Sequence, residues 1–385
     1  MRFSEVRHQD RALSILRRAL GSGRTHHAYL FAGPEGVGKE LAARALASRL
    51  LCEDETLAPE ADACGRCGAC RLVASDNHPD LHVIHRGLRK FHPDPAVRAR
   101  KGLFLTVDLV RHFVIEPAGM KPTQGRRRVF LIREAERMNE EAQNALLKTL
   151  EEPPGTACLI LVTASAGRLL PTIRSRCQSV PFGLLPPEFV AQELRARAGV
   201  SAADAAALAG LSGGRLGVAL HWQRLGVLAA LDVIGESLDG LPAGDVEAFG
   251  KRLVELATEL AKRARPGTGA QEEQPDVDED EEERPAKAGG RVVPTDELRD
   301  ALKLALALVA ALYREALLVK VGASAIRHLP QQQRRAEALA DGASLDRLDA
   351  SLRAVSEAER MLDTNVAPQL ACERLAVGLL GELPV

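Results

Sequence analysis

The stretch Ala28-Tyr-Leu-Phe-Ala32-Gly33-Pro-Glu-Gly36-Val-Gly38-Lys39-Glu40 decides how the rest of the chain is read. Five consecutive apolar residues predict a short buried strand. A Gly33-x4-Gly38-Lys39 turn follows, then a segment rich in Ala and Leu that reads as a helix through Leu51. A glycine-rich turn between strand and helix lets backbone N–H groups curl around phosphates, and the lysine reaches the terminal ones. Such a motif then calls for Ser or Thr, whose hydroxyl binds Mg²⁺. Here the residue is Glu40, which would set a carboxylate beside an anionic polyphosphate.

The other half of such a site is an acidic residue at the end of a neighbouring strand. Val129-Phe-Leu-Ile132 runs into Arg133-Glu134. The first of these positions normally carries the Mg²⁺-binding Asp, and it is an arginine. Two metal-contacting positions are thus changed independently, which argues against metal-assisted hydrolysis. Glu134 stands where the residue that polarises an attacking water is usually found. Nucleotide binding without turnover and an empty structural loop both stay open on these residues alone.

Outward from this centre, Leu81–Ile84, Arg128–Ile132 and Cys158–Thr163 read as three more strands. Helical segments separate them. Val6, Ala12, Leu13, Leu16 and Leu20 lie near helical spacing, and Val107–Ile115 looks helical. Asn139 can cap a helix with Ala142, Ala145, Leu146, Thr149 and Leu150 on one face, stopped by Pro153 and Pro154. Strands alternating with helices predict a three-layer α/β domain with a parallel sheet. Residues 85–106 are basic and irregular, with Arg86, Arg89, Lys90, Arg98, Arg100 and Lys101. They read as a solvated loop, with a phosphate-contacting patch as the alternative.

Past about residue 183 the strand signals stop. Ser201–Leu211, Arg215–Arg224 and residues 243–264 and 295–322 are predicted helices. In the last, Leu298, Leu302, Ala305, Val309, Leu312, Ala316 and Val319 repeat at spacings of three and four, a stripe that needs partner helices. Between the two longer helices, nine of the twelve residues Glu272–Glu283 are acidic, so 266–294 is predicted to be a disordered insertion.

Cys64-x2-Cys67-x2-Cys70, with Cys52 upstream, gathers four thiols, and Gly65 and Gly68 allow tight turns between them. Four cysteines suit tetrahedral Zn²⁺. A catalytic zinc keeps a position open for water, so a four-thiolate set predicts a structural zinc. Cys158 and Cys372 read as plain buried residues.

Composition narrows the remaining classes. The 385 residues suggest two to three domains, and 46% hydrophobic content excludes wholesale disorder. Net charge is -1 and aromatics make up 3%, which disfavours single-strand binding by base stacking as a primary role. The longest apolar run, Leu304–Leu312, is nine residues, too short for a membrane span. The odd count of seven cysteines and the absence of an apolar signal core predict a reducing, cytoplasmic setting.

Gly33–Lys39, the cysteine knuckle, His78-Pro-Asp-Leu81, Asn144-Ala-Leu-Leu-Lys-Thr-Leu-Glu-Glu-Pro-Pro154 and Pro171-Thr-Ile-Arg-Ser-Arg-Cys177 together resemble the clamp-loader subunits of bacterial DNA polymerase III, which are AAA+ proteins. The likeness covers about residues 1–225. Within the family, Met138–Asn144 and the altered metal positions look more like delta-prime than the gamma/tau motor. The loop Gly87–Leu105 and the 266–294 insertion depart from the family pattern.

The resemblance implies an AAA+ core over 1–183 with a zinc module at about 52–80, a helical lid over 184–240 and a helical collar over 241–385. It gives Arg176, in Ser175-Arg176-Cys177, the role of an arginine finger reaching a neighbouring subunit's ATP. Arg215 matches the family's sensor-2 region and Thr163 its sensor-1 position. The implied partners are gamma/tau and delta subunits, a sliding clamp and primed DNA, with no membrane. The implied function is a non-hydrolysing subunit. A working ATPase motor with an unusual loop is the alternative, favoured by Lys39 and Glu134. A module binding zinc and DNA through Arg126-Arg-Arg128 and 86–101 is the third reading.

Overall fold

The computed structural model describes residues 1–100, 104–241, 244–264, 295–323, 329–364 and 366–381. The predicted insertion 266–294 and Lys101 lie outside them. The chain divides into two units. The first is Met1–Val190 with Gly213–Val218, and the second is Ala191–Ser212 with Ala219–Val385.

The first unit is built on a parallel sheet in the order β2-β3-β4-β1-β5. In chain order it contains α1 (Asp10–Gly21), β1 (Ala28–Ala32), α2 (Lys39–Leu51), α3 (Gly68–Ala74), β2 (Leu81–Ile84) and α4 (Pro95–Ala99). There follow α5 (Val107–Val110), a π turn (Arg111–Ile115), α6 (Glu116–Ala118), β3 (Arg128–Ile132), α7 (Glu140–Glu151), β4 (Ala157–Thr163), α8 (Pro171–Arg176) and β5 (Gln178–Pro181). β4 lies against both β1 and β3, pairing Leu30 with Leu161 and Leu131 with Ile160. Its seven residues are all buried, as continuous apolar strands covered on both faces must be.

The four predicted strands are present. The fifth, Gln178–Pro181, carries no signal in the apolar pattern: it is an edge strand, polar on its outer side and ending in proline, which edge strands tolerate. Asn139 caps α7 by accepting from Ala142 N at 3.1 Å. Gln143, not Ala145, completes the buried face: its Nε2 donates to Met138 O, and its Oε1 accepts from Leu170 N at 2.7 Å. The basic stretch after β2 is not irregular throughout. Arg86–Phe91 forms a 3₁₀ turn and Pro95–Ala99 a helix capped by Asp94, and its exit is tied down where Leu105 N donates to Arg137 O at 2.9 Å.

The described residues of the second unit form helices and their connections, with no strand among them. Unit boundaries fall inside α9 (Pro187–Ala198) and inside the later helix Leu216–Leu225, whose Leu216–Val218 belong to the first unit. Then come α10 (Ala202–Ser212), α11 (Leu216–Leu225), α12 (Val227–Gly240), α13 (Val246–Ala264), α14 (Thr295–Lys320), α15 (Gln333–Gly342), α16 (Leu345–Asp363) and α17 (Pro368–Leu380). The predicted stripe on α14 buries Leu302, Ala305, Val309, Leu312 and Ala316 completely. This helix packs on α12, α13, α15 and α16, and α17 packs on α13 and α16. Each fully buried leucine there contributes about 2 kcal/mol by leaving water. Cys372 and Cys158 are buried core residues, as expected.

Candidate functional site

The glycine loop leaves the carboxyl end of β1, between the ends of β4 and β5. Gly33 N donates to Thr163 O at 3.3 Å. Any side chain at Gly33 would place its Cβ 2.3 Å from Phe182 O, so strand packing alone requires glycine there. Gly36 has φ +75 and its carbonyl accepts from Gly217 N at 2.8 Å. The Gly213–Val218 segment, which carries the half-buried Arg215, therefore closes onto the loop within the same unit. Gly38 begins α2 in the left-handed conformation.

Lys39 is turned inward. Its side chain is buried, and Nζ donates to Gly33 O at 2.6 Å and Pro34 O at 2.5 Å. Burial lowers its pKa, with Glu136 and Glu35 opposing. The ammonium thus donates to two carbonyls of its own loop.

Glu40 and Arg133, the two departures from the magnesium motif, contact each other. Glu40 Oε2 lies 3.0 Å from Arg133 Nε, and Oε1 accepts from Arg44 Nε at 3.0 Å. Arg44 also pairs with Asp76, in the left-handed turn after α3. Burial works against the Arg44 charge, but Asp76 and Glu40 outweigh it and raise its pKa. Arg44 was legible as the residue four after Glu40 on one helix; Asp76 was not, because it is distant in sequence.

Glu134 has φ +48 and is held by Arg137 at 3.1 Å and Arg86 at 3.6 Å. Thr163 is buried and its hydroxyl accepts from Ser165 N at 3.0 Å. Glu136, which the sequence did not single out, accepts from Ala164 N at 3.0 Å and faces Lys39 electrostatically. Arg176 ends α8, about one-third exposed. Its Nη2 lies 2.5 Å from Glu151 Oε1, and its Nη1 donates to Thr172 O at 3.0 Å.

The four predicted cysteines converge. The Sγ atoms of Cys52, Cys64, Cys67 and Cys70 all lie within 4.8 Å of one another. Cys52 and Cys67 are 4.0 Å apart and Cys64 and Cys70 3.9 Å. Tetrahedral bonds of about 2.3 Å to a common ion would put sulfurs about 3.8 Å apart, so the set fits a metal ion. Backbone amides of Arg66 and Cys67 donate to Cys64 Sγ and lower its pKa to about 6. Burial pushes Cys70 up to about 12, a cost that a bound cation offsets. The knuckle is tied to the rest of the unit by Arg2 Nη2 on Cys64 O at 3.1 Å and Phe3 N on Asp62 at 2.8 Å.

His78-Pro-Asp80 is a structural clasp. Fully buried Asp80 accepts from Thr123, Gln124 and Gly125 N at 2.6, 2.8 and 2.7 Å. Burial raises its pKa, but these amides outweigh that and hold it below the ordinary carboxylate value. His78 Nδ1 is engaged by Asp80 N at 3.1 Å rather than by the cysteine cluster.

Among the described residues, no helix is long and apolar enough to cross a membrane. Residues 8–185 match the family model described as DNA polymerase III, delta subunit. The DNA polymerase III subunit delta' of Pseudomonas aeruginosa is 42% identical over 185 residues, 46% of this chain and 50% of that protein. The Bacillus subtilis subunit delta' is 34% identical, covering 48% of this chain and 51% of that protein. The Mycobacterium bovis subunit gamma/tau is 38% identical, covering 48% of this chain and 29% of that protein. The chain spans about half the length of these delta' relatives. Over residues 8–185, the chain is similar to the delta' and gamma/tau subunits of DNA polymerase III.

Proposed function

We propose that this chain is a delta-prime-like subunit of a DNA polymerase III clamp loader, without ATPase activity of its own. It would act with gamma/tau and delta subunits to place a sliding clamp on primed DNA. Arg176 would serve as an arginine finger toward the ATP of the adjacent motor. The single observation that carries this is the Glu40–Arg133 ion pair. An internal cation and anion occupy the two positions that would otherwise hold Mg²⁺, and without that ion a phosphate loop lacks its main means of neutralising developing charge.

The same reading divides the chain into an AAA+ core (1–183), a helical lid (184–240) and a helical collar (241–385). The cysteine cluster would hold a structural Zn²⁺ through Cys52, Cys64, Cys67 and Cys70, closed to water by its fourth thiolate. Its role is to fold the 52–80 module onto α2.

Retention of Lys39 and Glu134 favours the motor alternative, and turnover separates the two. The isolated chain is expected to show no Mg²⁺-dependent ATP hydrolysis. In the reconstituted complex with clamp and primed DNA, Lys39→Ala should keep turnover within about twofold, while Arg176→Ala lowers it about tenfold or more. ATP turnover by the isolated chain that is abolished by Lys39→Ala would establish the motor reading instead.

A further inference from the structure

Arg176 and Glu151 are the last residues of two short-range neighbours, α8 and α7, which pack against each other. A guanidinium has five N–H donors in a fixed plane. Here one N–H from each terminal nitrogen is directed inward, Nη2 to Glu151 and Nη1 to Thr172 O. Three remain for an external acceptor. Glu151 sits at the end of α7 where the helix macrodipole is negative, the wrong end for a carboxylate. It is also about half exposed, so core packing does not account for it. Its partner does: Arg176 is the charge that offsets its placement.

We propose that Glu151 is a positioning residue that holds the Arg176 guanidinium with its outer N–H groups presented to an anionic oxygen, the terminal phosphate of a nucleoside triphosphate bound by another chain. This rests on the finger reading above. Arginine carries about 2 kcal/mol of rotamer entropy, and a side chain already held at one edge loses less of it on meeting a phosphate. The carboxylate therefore acts before the phosphate arrives, by fixing direction, and does not need to be displaced by it.

The experiment is ATP turnover by the reconstituted complex with Glu151→Ala, Glu151→Gln, Arg176→Ala and the Glu151→Ala/Arg176→Ala double variant. Glu151→Ala is expected to lower kcat about two- to fivefold, the range of a partly exposed pair. Glu151→Gln, whose amide oxygen still accepts from Nη2, should retain most activity. In the Arg176→Ala background Glu151→Ala should have no further effect, the mark of residues acting as one unit. An unchanged or raised kcat for Glu151→Ala, with Arg176→Ala still impaired, overturns the positioning role alone. An equal loss in both backgrounds shows a purely structural effect and also overturns it. A silent Arg176→Ala removes the finger reading, and this proposal with it.

Discussion

Glu40 Oε2 stands 3.0 Å from Arg133 Nε, joining the first turn of α2 to the end of β3. The two residues are 93 positions apart, and each alone would disfavour a magnesium nucleotide. Together they form a neutral pair, continued through Arg44 to Asp76 beside the cysteine module. Within the loop, Lys39 donates to the carbonyls of Gly33 and Pro34, and the close approach of Phe182 O requires glycine at 33.

The pair makes a gain-of-function prediction. Glu40→Thr with Arg133→Asp restores both metal-contacting groups and should confer Mg²⁺-dependent nucleotide binding, read by titration calorimetry. Glu40→Thr alone leaves the Arg133 cation, and Arg133→Asp alone leaves the Glu40–Arg44 pair, so neither should. A double variant as inert as wild type would mean that another contact, such as Gly217 on Gly36, keeps the loop shut.

The cysteine cluster predicts one Zn²⁺ per chain by elemental analysis. Cys70→Ser should lower metal content and the melting temperature, and a strong chelator should lower the melting temperature of wild type. Metal content unaffected by Cys70→Ser would exclude the four-sulfur site.

Asp80 predicts an acid-labile clasp. Its folded pKa lies below the ordinary value of 3.8, so its contribution is full above that value and is lost as pH falls through the folded pKa. Asp80→Ala should cost about 2–4 kcal/mol at neutral pH by leaving three amides without their acceptor. Asp80→Asn should flatten the acid limb of the stability profile. Denaturant melts at pH 7 and below 4 check both.

Gly33→Ala predicts a loss unrelated to any ligand. Its Cβ would lie 2.3 Å from Phe182 O, and relieving that contact should cost about 1–3 kcal/mol. The measurement is a denaturation midpoint, with and without ATP.

Much of the fold was legible because apolar runs and helical spacing are local signals. Ala28–Ala32, Leu81–Ile84 and Arg128–Ile132 have the predicted limits, and Cys158–Thr163 starts one residue earlier, at Ala157. Gln178–Pro181 was invisible because pairing with β1 makes it a strand. The cysteines were legible as a group because metal-type spacing is itself local.

By sequence alone, this chain declared a parallel α/β region with a glycine loop, a four-cysteine knuckle and a helical remainder, since each is written in spacing along a few turns of chain. Only tertiary structure decided that Glu40 meets Arg133, that Lys39 is spent on its own loop, that Asp80 clasps residues 123–125 and that Glu151 holds Arg176. Those are pairings of charges and donors remote in sequence, and their partners are set by which strand and helix ends the fold brings together.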